Sequence, residues 1–172
     1  MRYPLIIGLF LLVFLLFVWG RNLQAPKHVS DRAYDLVLST LLSHNVPAVS
    51  IDQVTSGGFY FLDARSSREF DVSHIPRAVW VGAHHFPLDR LTGIAKHAPI
   101  AVYCSVGYRS EHIAEYLRQL GYTNAVNVYG GIFEWVNTGH PVVTSTGDMT
   151  ERIHAYSRLW GIWLKRGERI YE

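Results

Sequence analysis

Cys104 is the only cysteine in the 172 residues, and it stands in the string Val102-Tyr103-Cys104-Ser105-Val106-Gly107-Tyr108-Arg109-Ser110. An apolar run ends at the sulfur and a short loop with one glycine follows. A helical pattern then starts at Arg109 or Ser110, with Ile113, Ala114, Leu117 and Leu120 at helical spacing and Gly121 as its stop signal. The loop is therefore backed by a helix N-terminus, where inward-pointing N–H groups and the helix dipole favour negative charge. A thiolate is such a charge. A free cysteine titrates at about 8.5, and a helix N-terminus with an arginine nearby lowers that value toward neutrality. Gly107 lets the backbone take a positive φ and bring amides close to the sulfur. These residue types at this spacing predict a nucleophile over an anion-binding cradle. The competing reading is a lone buried cysteine packed as a small hydrophobe.

The elements that must position this loop are legible as alternating patterns. Apolar runs at residues 59–62, 78–81, 100–104 and 125–129 alternate with helical patterns around 66–72, 88–97, 110–120 and 131–138. Such alternation predicts an α/β fold, a mostly parallel sheet flanked by helices. Residues 31–43, with Tyr34, Leu38, Leu41 and Leu42, form a short helix candidate before the domain or else a loosely packed spacer. Beyond the domain, Asp148-x-x-Glu151 reads as a helix start, and Ile153, Tyr156, Trp160, Trp163 and Leu164 share one face up to Gly167. Arg152, Arg158, Lys165 and Arg166 lie off that face. The expectation is a basic amphipathic helix that rests on a membrane surface, binds a partner, or packs back on the domain.

Residues 5–19 carry no charged or polar side chain. Built as a helix, residues 3–20 would span about 27 Å, close to the roughly 30 Å of a bilayer's hydrocarbon core. An uncleaved single-pass transmembrane anchor is the favoured reading, and a signal peptide cleaved near Val18-Trp19-Gly20 the alternative. The flanking charges, Arg2 against Arg21, Lys27 and Arg32, leave the orientation open, with the exported side slightly favoured for the catalytic domain. One cysteine means no intramolecular disulfide, so redox usage does not decide the compartment. The chain thus divides into an anchor or signal sequence at 1–20, a linker with a short helix at 21–47, an α/β domain at 48–144 and a C-terminal helix at 145–172.

Four separated segments resemble the rhodanese-like family of sulfurtransferase domains. Phe61-Leu62-Asp63-Ala64-Arg65 with Glu69-Phe70 resembles its strand ending in Asp-x-Arg, and Ser73-His74-Ile75-Pro76-Arg77-Ala78 its Gly-His-Ile-Pro-Gly-Ala element. Cys104 to Ser110 is similar to its Cys-x-x-Gly-x-Arg-Ser loop. Gly130-Gly131-Ile132-Phe133-Glu134-Trp135 and Gly139-His140-Pro141-Val142 are similar to its closing motifs. Ser73 and Arg77 replace the family's glycines, which is expected to alter a turn and leave the chemistry alone. The stretch at residues 81–86 is longer than the usual link.

The resemblance implies a Cys104 thiolate that attacks a sulfane donor such as thiosulfate, holds the sulfur as a persulfide, and yields it to a thiol, cyanide or protein acceptor. Ser105, Val106, Gly107, Tyr108, Arg109 and Ser110 would form the active-site loop. Arg109 would either neutralise an anionic donor or tie the loop down. Asp63 and Arg65 would support the site, as a structural ion pair beneath the loop or in contact with substrate. His74 would stabilise a turn, with a general-base role as the lesser alternative, and Trp135 with Gly130 and Gly131 would serve packing and a tight turn. Four residues separate Cys104 from Arg109, as in the sulfurtransferase members, whereas the cysteine phosphatases have five and a wider cradle. A phosphatase or arsenate reductase is the lesser alternative. The other is a non-enzymatic, membrane-tethered binding or redox-sensing module. No metal or organic cofactor is implied, since His84 and His85 lack a third ligand at metal spacing. A net charge of +2 without a basic cluster gives no argument for nucleic acid.

Overall fold

The computed structural model describes residues 29–83 and 88–171. Five strands form one parallel sheet in the order β1-β5-β4-β2-β3: β1 (Ala48–Val49), β2 (Tyr60–Asp63), β3 (Val79–Trp80), β4 (Ile100–Tyr103) and β5 (Ala125–Val128). Every residue of the central strand β4 is buried, as expected of a strand covered on both faces. In register, Asp63 lies opposite Tyr103 and Val102 opposite Asn127, so the C-terminal ends of β2, β4 and β5 share one edge. That edge is where parallel α/β sheets gather functional groups.

Side chains alternate across β4. Ala101 and Tyr103 point into a cluster with α1 (Arg32–Leu41) and α5 (Gly131–Asn137), through Tyr34, Leu38, Ile132 and Phe133. Ile100, Val102 and Cys104 join the opposite cluster with Ile113, Ala114 and Leu117 of α4 (Tyr108–Gln119). The short helices α2 (Ile51–Ser56) and α3 (Ser67–Val72) each begin with a complete capping box, Ser50 with Gln53 and Ser66 with Glu69. These reciprocal bonds satisfy donors that helices this short leave orphaned.

Several expectations are corrected. The helix expected over 88–97 is only a 3-10 turn at Leu88–Leu91, because Gly93 takes a left-handed φ of 85° and the backbone bonds there span three residues. The segment before the domain is no loose spacer. Asp31 caps α1 by accepting from the N–H groups of Ala33 and Tyr34, and Tyr34 and Leu38 are fully buried. Tyr34 donates its hydroxyl to the Gly130 carbonyl at 3.0 Å and stacks on Trp163 at 5.2 Å.

The C-terminal amphipathic helix over 145–172 does not form. The segment instead holds β7 (Met149–Thr150) paired with β6 (Val142–Val143), β8 (Arg152–His154) paired with β9 (Glu168–Ile170), and only a one-turn helix, α6 (Arg158–Gly161). Tyr156, at a φ of 62°, breaks any helix through that position. Ile153, Ala155 and Leu164 have no exposure, so their apolar spacing reports burial against the domain. The core therefore runs on past residue 144.

At the two positions where the family's glycines are replaced, Arg77 keeps a left-handed φ of 66° while Ser73 is extended at −173°. The apolar stretch at residues 5–19 and the pair His84 and His85 lie outside the described residues. Among the described residues, no helix is long and apolar enough to cross a membrane.

Candidate active site

Strand β4 ends at Tyr103, and the chain passes through Cys104, Ser105 and Val106 to Gly107, which caps α4 with a φ of 119°. Only glycine adopts that backbone without penalty. The turn directs the Gly107 N–H at Cys104 Sγ, 3.2 Å away. Helix α4 starts one or two residues earlier than the pattern predicts, so Tyr108 and Arg109 lie in its first turn.

Cys104 is 1 % exposed. Burial pushes its thiol up, but the charge of Arg109 and hydrogen bonds from Ser110 and the Gly107 N–H outweigh burial and hold it below its ordinary value. The sulfur is thereby biased toward the thiolate, the nucleophilic form.

Two supports fix the loop from below. Asn127 of β5 donates its Nδ2 to the Gly107 carbonyl at 3.0 Å and accepts from the Ser110 hydroxyl at 2.7 Å. The start of α5 forms the second support, with the Ile132 N–H donating to the Cys104 carbonyl and the Phe133 N–H to the Ser105 carbonyl, at 2.9 and 3.2 Å. Gly131 makes this approach possible, since a Cβ there would lie 2.3 Å from the Cys104 carbonyl oxygen. The Gly130-Gly131 pair is thus a tight turn, as expected, yet it presses on the loop that carries Cys104.

Arg109 reaches Glu69 of α3 through two parallel bonds, Nη1 to Oε2 at 2.7 Å and Nη2 to Oε1 at 2.6 Å. Glu69 also accepts from the Ser105 hydroxyl at 2.9 Å and from the Ser66 N–H and hydroxyl at 2.9 and 2.8 Å. Burial pushes this carboxyl up, but its bonds to Arg109, the Arg109 charge, the Ser66 N–H and the Arg65 charge together bring it down to about 2. Of the two roles open to Arg109, the geometry supplies the tie that holds the loop.

Asp63 and Arg65 form the ion pair expected beneath the loop, at 2.7 Å with both side chains wholly buried. Arg65 also donates to the Ser73 carbonyl at 2.6 Å. Neither residue lines the cleft above Cys104. His74 brackets a turn as expected, its ring stacked on Phe70 and its Nδ1 3.1 Å from the Phe70 carbonyl. Trp135 is buried and donates its Nε1 to the Pro141 carbonyl at 2.8 Å.

Above the sulfur is a cleft of about 260 Å³ floored by Cys104, Ser105, Val106 and Arg109. Its walls are Leu41 of α1, Tyr108 of α4, and Tyr156 and Trp160 of the C-terminal segment. The Arg109 guanidinium lies 5.1 Å from the Tyr156 ring centre. Among the described residues, no cluster of three or more histidine, cysteine or acidic side chains could hold a metal ion.

Sequence patterns alone leave out Glu69 as a site residue, as well as Asn127, Leu41, Tyr156 and Trp160. The capping pattern Ser66-x-x-Glu69 marks Glu69 as a helix cap. Nothing local marks its bond to an arginine forty positions on.

A family model for the rhodanese-like domain matches residues 49–138. A sulfurtransferase of Allochromatium vinosum is 35 % identical over 86 residues, covering 50 % of this chain and 79 % of that protein. A tRNA uridine(34) hydroxylase of the Aster yellows witches'-broom phytoplasma is 30 % identical over 79 residues, which is 43 % of this chain but only 26 % of that protein. Among solved structures, the crystal structure of a rhodanese-like domain protein from Staphylococcus aureus matches with a TM-score of 0.45 and 27 % identity, covering 52 % of this chain and 90 % of that one.

Proposed function

The chain belongs to the rhodanese-like domain family, in which a relative is named a sulfurtransferase, and from that premise we propose that Cys104 carries sulfane sulfur as a persulfide between a donor and an acceptor. The observation that carries this reading is the thiol held below its ordinary value in a six-residue loop that donates the Gly107 N–H to the sulfur. In the first half-reaction the Cys104 thiolate attacks the outer sulfur of the donor. A new S–S bond forms, the donor's own bond to that sulfur breaks, and the departing group takes the electron pair. With thiosulfate as donor, that group is sulfite. In the second half-reaction an acceptor nucleophile attacks the outer sulfur and the pair returns to Cys104. Splitting one transfer into two steps predicts ping-pong kinetics.

The loop amides and Arg109 would stabilise negative charge on either sulfur, since donors already in place cost no reorganisation when that charge appears. Four residues separate Cys104 from Arg109, one fewer than in the cysteine phosphatases, which supports sulfur transfer over phosphate ester hydrolysis.

Intact mass spectrometry of the protein before and after a sulfane donor tests this directly. The expected result is a gain of about 32 Da, one sulfur atom, removed by cyanide or dithiothreitol and absent in Cys104→Ser. A protein that takes up no sulfur from any donor while its thiol still alkylates readily overturns the reading.

We further assign residues 5–19 as a membrane anchor, on their unbroken apolar character. Deleting residues 1–20 is expected to move the protein from the membrane pellet to the supernatant on fractionation. A full chain that is already in the supernatant refutes the anchor.

A further inference from the structure

Among the described residues that line the cleft, Arg109 is the one charged side chain, and its charge is matched by Glu69 at 2.6 and 2.7 Å. Once Cys104 ionises, these three groups together carry a net negative charge. A doubly charged inorganic anion that enters meets no further cation among the described residues of the walls.

The walls offer carbon instead. Leu41, Val106, Tyr108, Tyr156 and Trp160 surround the opening above the sulfur. The volume of about 260 Å³ is more than a single outer sulfur fills, and it lies just under the range of about 300–1,000 Å³ typical of sites for small organic molecules. Two of the walls come from the C-terminal segment, outside the span 49–138 that the family model matches.

Tyr156 is held in place with some backbone strain. Its φ of 62° is unusual for a bulky side chain, and the conformation is fixed by its N–H donating to His154 Nδ1 at 3.1 Å. Strain of this kind persists where the surrounding structure over-determines it, and it clusters at ligand sites.

We propose that the acceptor of the outer sulfur is a thiol with an aromatic or aliphatic body, seated against Tyr156 and Trp160, and that these two side chains set the preference. The proposal rests on the persulfide reading above. A neutral thiol enters, passes its proton to the terminal sulfur of the persulfide anion, and attacks that sulfur. The new S–S bond forms on the acceptor, the bond to Cys104 breaks, and its electron pair remains as the Cys104 thiolate. The acceptor leaves as an organic persulfide. The exchange consumes no oxidant or reductant, and a neutral reactant suits walls whose described residues, Leu41, Tyr108, Tyr156 and Trp160, carry no charge.

The test loads the full chain with inorganic polysulfide, confirms one added sulfur on Cys104 by intact mass, and follows single-turnover discharge. The two acceptors are 2-phenylethanethiol and 2-mercaptoethanol, each normalised to its rate with free glutathione persulfide. The aromatic thiol is expected to discharge Cys104 about tenfold faster after normalisation, equivalent to about 1.4 kcal/mol. Tyr156→Gly, which suits the left-handed backbone, and Trp160→Leu, which keeps an apolar side chain for the core, should each reduce that ratio. A ratio near one on loaded protein overturns the acceptor proposal alone. A high ratio that neither variant moves overturns the assignment to Tyr156 and Trp160. A Cys104 that cannot be loaded overturns the persulfide reading, and this proposal with it.

Discussion

Asp63 with Arg65 and Glu69 with Arg109 are both carboxylate–guanidinium pairs near the same loop, yet their surroundings differ. The first has no exposed side-chain surface on either partner, and its closest contact is 2.7 Å. The second closes to 2.6 Å while leaving 21 % of the Arg109 side chain exposed. Arg65 spends its other bonds on backbone, reaching the Ser73 carbonyl and so tying the end of β2 to the turn before His74. Arg109 spends its on side chains of the site, Glu69 and the Ser105 hydroxyl. The deep pair holds the chain in place, while the shallow pair sets the field at the sulfur. One pairing chemistry serves either purpose, and its place relative to solvent and to Cys104 decides which.

The largest effect is expected at the deep pair. Arg65→Met leaves the buried Asp63 carboxyl without its ion-pair partner, and breaking a buried pair in this way costs about 3–5 kcal/mol, read from equilibrium urea unfolding. Replacing both partners by apolar residues should recover most of that loss. In Arg65→Met the pH midpoint for alkylation of Cys104 should stay where it is. A shifted midpoint would erase the distinction between the two pairs.

Arg109→Gln should show the reverse balance. Stability is expected to fall by less, about 1.5–3 kcal/mol, the usual range for charge-assisted bonds, while the alkylation midpoint of Cys104 rises. Burial pushes that thiol up, and the variant removes the charge that opposes it.

Acid unfolding sharpens the contrast further. Glu69 is held at about 2 in the folded protein against an ordinary 4.5, so the unfolded chain takes up the proton first as pH falls. The stabilisation is complete above about 4.5 and drains away down to about 2. Unfolding free energies measured across that window should slope steeply in the parent protein and less so in Glu69→Gln. Equal slopes would mean that Glu69 is not the group responsible.

Ser66→Ala is the mildest change. It removes the hydroxyl that accepts from the Glu69 N–H at 3.3 Å and donates to Glu69 Oε2 at 2.8 Å. The expected cost is about 1 kcal/mol, that of a lost helix cap, read from equilibrium urea unfolding.

Much of this arrangement is written locally. The strands at Tyr60–Asp63, Ile100–Tyr103 and Ala125–Val128 fall within a residue or two of the apolar runs that announce them, because buried parallel strands need continuous hydrophobic stretches. Cys104, Gly107 and Arg109 are visible as a candidate site because they lie within six consecutive residues. The strand at Ala48–Val49 is not, since two residues carry no period. The C-terminal segment misleads because Tyr156, Trp160 and Trp163 fit a helical spacing, while the left-handed backbone at Tyr156 and the pairing of β8 with β9 depend on tertiary packing. Glu69, Asn127 and Trp160 escape for a related reason. Each acts on the loop from a distant part of the chain, and only the folded sheet edge brings them within reach.

The seating of Gly131 against the loop has one more consequence. With the carbonyls of Cys104 and Ser105 both engaged by the first amides of α5, those two peptide planes cannot flip, and their dipoles have a fixed sense whatever the sulfur carries. A nucleophile that alternates between a bare thiolate and a terminal disulfane would otherwise face a cradle that relaxes differently around each. Here the polarity is set when the chain folds, so the two half-reactions of the proposed transfer would meet the same electrostatic template, and neither would have to wait for the protein to repolarise.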